Sequence, residues 1–232
     1  MKNRIIESLI LALGLTAMGF FIQSGIHSFS LRDRVVTVKG LAEAEFPADK
    51  VIWPIVYKEA GNNLLALYDN LHSKNEIVIS FLQSNGIETD EITISAPVVY
   101  DMQAERYSTN TAVYRYNITS VITISSDKVD LIRKLMSQQA SLLQKGIAVT
   151  SDYQYNTEFI FTRLNEVKPQ MIEEATKNAR EAAIKFAEDS DSKLGKIKRA
   201  YQGQFSITNR DENTPHIKNI RVVTTIEYYL KD

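Results

Sequence analysis

Hydrophobic and polar residues alternate along much of this chain, and the period of the alternation switches between two and about 3.6 several times. Over 34–46, Val36, Val38, Ala42, Ala44 and Phe46 fall approximately on one face, the pattern of a strand. Pro47-Ala48-Asp49 then reads as a tight turn, because proline fixes φ and aspartate bonds nearby backbone. Beyond it, Val51, Trp53, Ile55 and Tyr57 alternate against Ile52, Pro54 and Val56. The two segments are predicted to form a hairpin whose second strand is apolar on both faces. Pro54 offers no ladder donor, so an edge position or a bulge is expected there.

The next pattern is helical. Leu64, Leu67, Leu71, Val78, Phe81 and Leu82 recur at helical spacing, with Asn62 or Asn63 as the cap and Gly86 as the stop. Segments 90–103 and 112–125 read as two strands joined by the polar connection AERYSTNT. A second helix is expected over 126–146, capped by Ser126 or Asp127 and closed by Gly146. Residues 147–162 read as a strand with alternating aromatics. A third helix, from about Pro169 to Asp189, places Ile172, Ala175, Ala179, Ala182 and Phe186 on a narrow stripe of mostly small residues. Segments 195–208 and 217–230 close the chain as strands. The order β-β-α-β-β-α-β-α-β-β predicts an α+β fold with helices packed on antiparallel sheets, and the length allows one domain or two small lobes.

The N-terminus departs from these patterns. Lys2 and Arg4 precede a stretch from Leu9 to Ile26 in which Gln23 is the most polar residue. Eighteen helical residues rise about 27 Å, close to the ~30 Å of a bilayer's hydrocarbon layer. A tail over 1–4, a transmembrane anchor over 5–27, a linker over 28–34 and a folded domain over 35–232 are therefore expected. A cleaved signal peptide is one alternative, since Ala17-Met18-Gly19 has the small-x-small form, although Phe20 and Phe21 follow it. A buried core helix is the other. Basic residues nearly balance across the stretch, so the charge rule for orientation decides little. The short leading tail favours export of the domain.

Composition removes several function classes. Of 232 residues, 24% are charged and 44% hydrophobic, as in ordinary folded proteins. With 27 basic and 28 acidic residues the net charge is −1, and no basic stripe stands out, so nucleic acid is not an expected partner. The absence of cysteine excludes disulfides and thiolate chemistry.

Candidate chemistry is sparse. His27, His72 and His216 share no metal-ligand spacing, and no metal or cofactor is expected. A Ser-His-Asp assembly is not decided by spacing, but no nucleophile-elbow signature is present. Glu188, Asp189 and Asp191 lack the acceptor pattern of a calcium loop, with Lys193 where an acceptor is needed, and read as a solvated helix end. Glu88, Asp90 and Glu91 read as a charged turn. Tyrosines cluster on or between strands, and the 101–116 tip is the expected contact surface, with Arg106, Tyr107, Tyr114 and Tyr116 as its residues.

Three stretches together resemble one family. VKGLAEAEFPADKVIWPI is similar to the V-x-G-x-small start and Pro-x-Asp corner of the SIMPL-domain family. LQSNGIETDEITIS resembles its helix end, glycine, isoleucine and strand, and EEATKNAREAAIKFAEDSDSKLGKIKRAYQG its Ala-rich helix and Leu-Gly-Lys strand start. The likeness covers about 35–230 in the right order. Where the family has a glycine before Lys-Leu-Gly, this chain has Asp191-Ser192. The resemblance implies a bacterial envelope protein with two α+β subdomains that assembles into large oligomers, and it brings no agreed activity and no functional residues. With the predicted anchor, it implies a single-pass inner-membrane protein with its domain in the periplasm or outside the cell. The expected function is that of a membrane-anchored, non-enzymatic envelope protein acting as an oligomeric scaffold or stress-related assembly. The alternatives are a binding module for a small molecule, glycan or envelope protein, and a hydrolase with an unrecognised site.

Overall fold

The computed structural model describes residues 2–30, 34–104, 113–150 and 152–231. The chain forms two compact units, Met1–Ala44 with Asn165–Ser206 and Ile220–Asp232, and Glu45–Leu164 with Ile207–Asn219.

Helix α1 (Lys2–Ser30) precedes both sheets and is 29 residues long. It overturns the predicted anchor, because among the described residues no helix is long and apolar enough to cross a membrane. Length is not what it lacks. The run between Glu7 and Gln23 is 15 residues, about 22 Å of rise against the ~30 Å required. Gln23 and Ser24 interrupt it, and Gly14, Thr16 and Gly19 dilute it. The expectation of a single-pass inner-membrane protein falls with the anchor.

In the second unit, β2 (Lys50–Gly61) pairs antiparallel along its whole length with β5 (Tyr116–Ser126). The other side of β5 carries β3 (Ile92–Ile94) and β4 (Val98–Asp101) end to end, and β6 (Glu158–Ile160) pairs with residues 50–52 of β2. Register sets the core. Trp53 faces Ile124, Ile55 faces Ile122 and Tyr57 faces Ser120. Helix α2 (Leu64–Ser84) covers that face with Leu67, Leu71, Val78, Phe81 and Leu82, the positions its periodicity predicts apart from exposed Leu64. The Asn63 carboxamide accepts from the backbone N–H groups of Leu65 and Ala66, and Gly86 takes φ +91° at the far end. The predicted second helix divides into α3 (Val129–Gln138) and α4 (Ala140–Gln144), with the Ser126 hydroxyl accepting from the Lys128 N–H.

The second sheet runs in the order β1-β9-β7, with β8 also on β9. Its strands are β1 (Val35–Pro47), β7 (Lys193–Gln202), β8 (Ser206–Asn209) and β9 (Ile217–Lys231). Helix α5 (Leu164–Asp189) lies against β1 so closely that a Cβ added to Gly40 would sit 1.8 Å from the Ala175 carbonyl oxygen. Only alanine suits such a contact. The buried stripe is Met171, Ala175, Ala179, Ala183 and Ala187, at a constant spacing of four. It lies rotated from the predicted stripe. Ile172 and Ala182 are half-buried, and Phe186 is exposed because the close face has no room for a ring. The helix also starts five residues before Pro169, which it holds near its N-terminal end.

Two strand expectations are corrected. β1 and β2 do not form a hairpin; they enter different sheets. The corner between them is bound from far along the chain. The Ala48 N–H donates to the His216 carbonyl, the Asp49 N–H to the Ile160 carbonyl, and the Asp49 carboxylate accepts from the N–H groups of Thr162 and Arg163. Asp49 thus leaves its neighbours unbonded. Pro54 pairs with Thr123 on one side, while β6 ends opposite Ile52, so the strand is locally an edge where the missing donor falls. In 147–162 only β6 and a single bridge from Tyr57 to Val149 are extended; Tyr153 and Tyr155 occupy turns.

Candidate interaction surface

The connection predicted as a contact surface leaves the sheet between β4 and β5. Arg106 and Tyr107 lie outside the described residues. Its base is rigidly tied. The Arg115 guanidinium donates to both oxygens of Asp101, with Nε at 3.2 and 3.1 Å and a terminal nitrogen at 2.8 Å, and the Arg115 N–H donates to Asn62. This contact holds the Asp101 carboxyl below the usual carboxylate range. Tyr116 is half-buried, packs against the core and lies under the Arg115 guanidinium at 4.8 Å, so it anchors the strand. Tyr114 is exposed, beside Val113 at 81% exposure. Of the four residues, only Tyr114 is placed at the surface.

The larger feature is the sheet edge leading to this base. Among the described residues β3 and β4 pair only with β5, and no strand lies on their outer side. Residues 92–100 contain no charged side chain. Ile94, Val98, Val99, Tyr100 and Met102 are exposed along them, continuous through the strand pairing with the tip that bears Val113 and Tyr114. The edge of the other sheet is built differently. β7 carries Lys193, Lys196, Lys198 and Arg199 and has register shifts between Leu194 and Arg199. Charge and irregularity are the usual protections of a free edge, and they guard β7, while β3–β4 has its shortness, Pro97 and the single charge of Asp101, which Arg115 takes up. The continuous apolar run Val98-Val99-Tyr100 and the missing charge over nine residues were the legible signals.

Behind the edge lies a small cleft between α2 and β3, about 170 Å³, bordered by Tyr68, His72, Asn75, Glu76, Ile94 and Pro97. The Asn75 side-chain oxygen accepts from the Tyr57 hydroxyl at 2.6 Å and the Ser120 hydroxyl at 2.8 Å. Burial pushes the Tyr57 hydroxyl up to about 12, so it stays a neutral donor. His72 stands 3.5 Å from Glu76 on the exposed face of α2.

The charged turn before β3 is more structured than its sequence suggests. Lys128 Nζ donates to Glu88 at 2.9 Å and Glu91 at 3.0 Å, and the Ser126 hydroxyl donates to Glu91 at 2.6 Å. Burial pushes the Glu91 carboxyl up, but the bonds from Glu88, Ser126 and Lys128 outweigh it and hold it below the usual range. His216 packs edge-on against Phe159 at 6.0 Å; burial and nearby Arg133 and Arg210 lower its affinity for a proton. The turn and this histidine serve the fold.

Compared with protein families, the chain matches the family described as SIMPL, protein of unknown function (DUF541), over residues 36–221. No curated protein matches the chain.

Proposed function

The chain belongs to the SIMPL family, and on that premise we propose that its folded domain is a non-enzymatic assembly module that self-associates through the β3–β4 edge. The observation that carries this reading is the contrast between the two sheet edges. β7 is guarded by four cations and broken register, whereas the β3–β4 edge has no charged side chain over 92–100, its one charge, Asp101, is taken up by Arg115, and its outer side has no strand partner among the described residues. A second copy approaching β3–β4 would cover Ile94, Val98 and Tyr100 and gain backbone partners along runs of three and four residues, the break at Ser95–Pro97 limiting the ladder. The cleft behind the edge favours an interface over a ligand site, because 170 Å³ is below the 300–1,000 Å³ or so that small-molecule sites occupy.

Light scattering coupled to size exclusion on the full chain tests the reading. The native chain is expected to elute as a multimer and Val98→Lys/Tyr100→Lys as a smaller species with an unchanged circular dichroism spectrum. A monomer at every concentration, or an unchanged mass in the variant, would sink it.

A further inference from the structure

The first unit contains a second cavity, about 500 Å³, between α5 and the start of β7, within the size range of small-molecule sites. Its lining combines two chemistries. Ile184, Leu194 and Ile197 supply apolar wall, and Ile184 and Ile197 are exposed there despite their size. Arg180 and Lys196 supply two cations, and no acidic side chain lines the cavity. Among the described residues, neither cation makes an ion pair or a side-chain hydrogen bond.

Tyr228 forms part of the same wall. It is only 4% exposed, its ring belongs to the core beneath α5, and its hydroxyl has no hydrogen-bond partner among the described residues. The hydroxyl is not sealed away, since the residue borders the cavity. The cavity that the residue borders is open to an acceptor that would pair with this hydroxyl. Burial keeps this phenol protonated well into the alkaline range, with Arg180 pulling modestly the other way, so at neutral pH it is a donor.

Two unneutralised cations and a neutral donor beside apolar wall complement an acceptor-rich anion with a hydrocarbon part. A cation would meet repulsion, and a purely apolar guest would leave the Tyr228 hydroxyl unsatisfied. We propose that this cavity binds an amphiphilic anion, its carboxylate or phosphate held by Arg180, Lys196 and the Tyr228 hydroxyl and its apolar chain laid over Ile184, Leu194 and Ile197. The site is independent of the β3–β4 edge, so either proposal can fail without the other.

Calorimetric titration of the full chain with decanoate, below its micellisation range, tests this, with decanol and acetate as partial ligands. Decanoate should bind, with decanol and acetate each at least about tenfold weaker, since each lacks one half of the recognition. Arg180→Gln/Lys196→Gln should weaken decanoate about tenfold or more, and Tyr228→Phe several-fold. Lys193→Gln/Lys198→Gln removes the same charge from β7 outside the cavity and should leave binding unchanged. No decanoate binding overturns the proposal. So do equal binding of decanol, which would mean a mere apolar patch, equal binding of acetate, which would mean a bare anion site, and equal loss in the Lys193/Lys198 control, which would mean diffuse charge. Circular dichroism of each variant confirms that the fold is retained; should Arg180→Gln/Lys196→Gln not fold, Tyr228→Phe against native carries the same decision.

Discussion

At Gly40 the α5 backbone comes within a distance that no side chain can share. A Cβ there would approach the Ala175 carbonyl oxygen to 1.8 Å and the Ala179 nitrogen to 2.4 Å, both backbone atoms that cannot swing away. Gly40→Ala is expected to cost more than about 3 kcal/mol, above the usual range for overpacking, in urea denaturation followed by circular dichroism. Asp191 is the opposite case. It takes φ +52° just after α5, the conformation in which glycine commonly ends a helix, and the Ser192 N–H donates to the Ala187 carbonyl at 2.8 Å. Asp191 thus holds the left-handed conformation that glycine commonly supplies at a helix end. Asp191→Gly should be neutral or stabilising by up to about 1 kcal/mol, and Asp191→Val destabilising by about 1 kcal/mol or more, in the same assay. A stabilising valine would contradict the left-handed turn.

Among the elements, the corner between β1 and β2 carries a specific pH dependence. Burial pushes the Asp49 carboxyl up, but the bonds from Thr162 and Arg163 exceed that effect and hold it below the usual range. A carboxylate with a lowered folded-state pKa binds fewer protons than the unfolded chain. Its contribution is therefore present above the ordinary carboxylate range, near pH 4, and is lost as pH falls through the lowered value. Glu91 acts in the same direction. His216, also lowered, takes up a proton more readily in the unfolded chain, so stability falls as pH drops below its ordinary range near 6.5. Unfolding free energy should decline from about pH 6.5 downward and more steeply below about pH 4. Asp49→Asn should lower stability at pH 7 and flatten the acid limb; a parallel pH profile in the variant would show that Asp49 contributes no titrating term. The helices, by contrast, were legible by period. Asn63, Gly86 and the α2 core positions stand where capping and spacing put them, whereas the α5 stripe turned because a leucine-sized side chain and a close β1 backbone exclude each other.

For the whole molecule, the division into two units makes a spectroscopic forecast. Trp53 is the single tryptophan, 3% exposed in the core of the second unit, while Gly40 belongs to the first. In Gly40→Ala, the circular dichroism transition should begin at lower urea than the tryptophan fluorescence transition. Coincident transitions would mean that the units unfold as one. Of the residues expected at the contact surface, Tyr114 is exposed and Tyr116 packs against the core, and the exposed apolar strip along β3–β4 was not read from the sequence. From the sequence alone came the α+β class, the cap and stop of α2 and the family, because side-chain period, glycine and asparagine act through local backbone and burial, whereas three expected elements each divide in two and α3 is capped at Lys128 and not by Ser126 or Asp127. Strand partners, the sheet-switching corner at Pro47–Asp49 and the difference between the β7 and β3–β4 edges were decided by tertiary structure. A period of two says that a face is buried, not which strand lies beside it; the groups that bind Asp49 come from more than a hundred residues away.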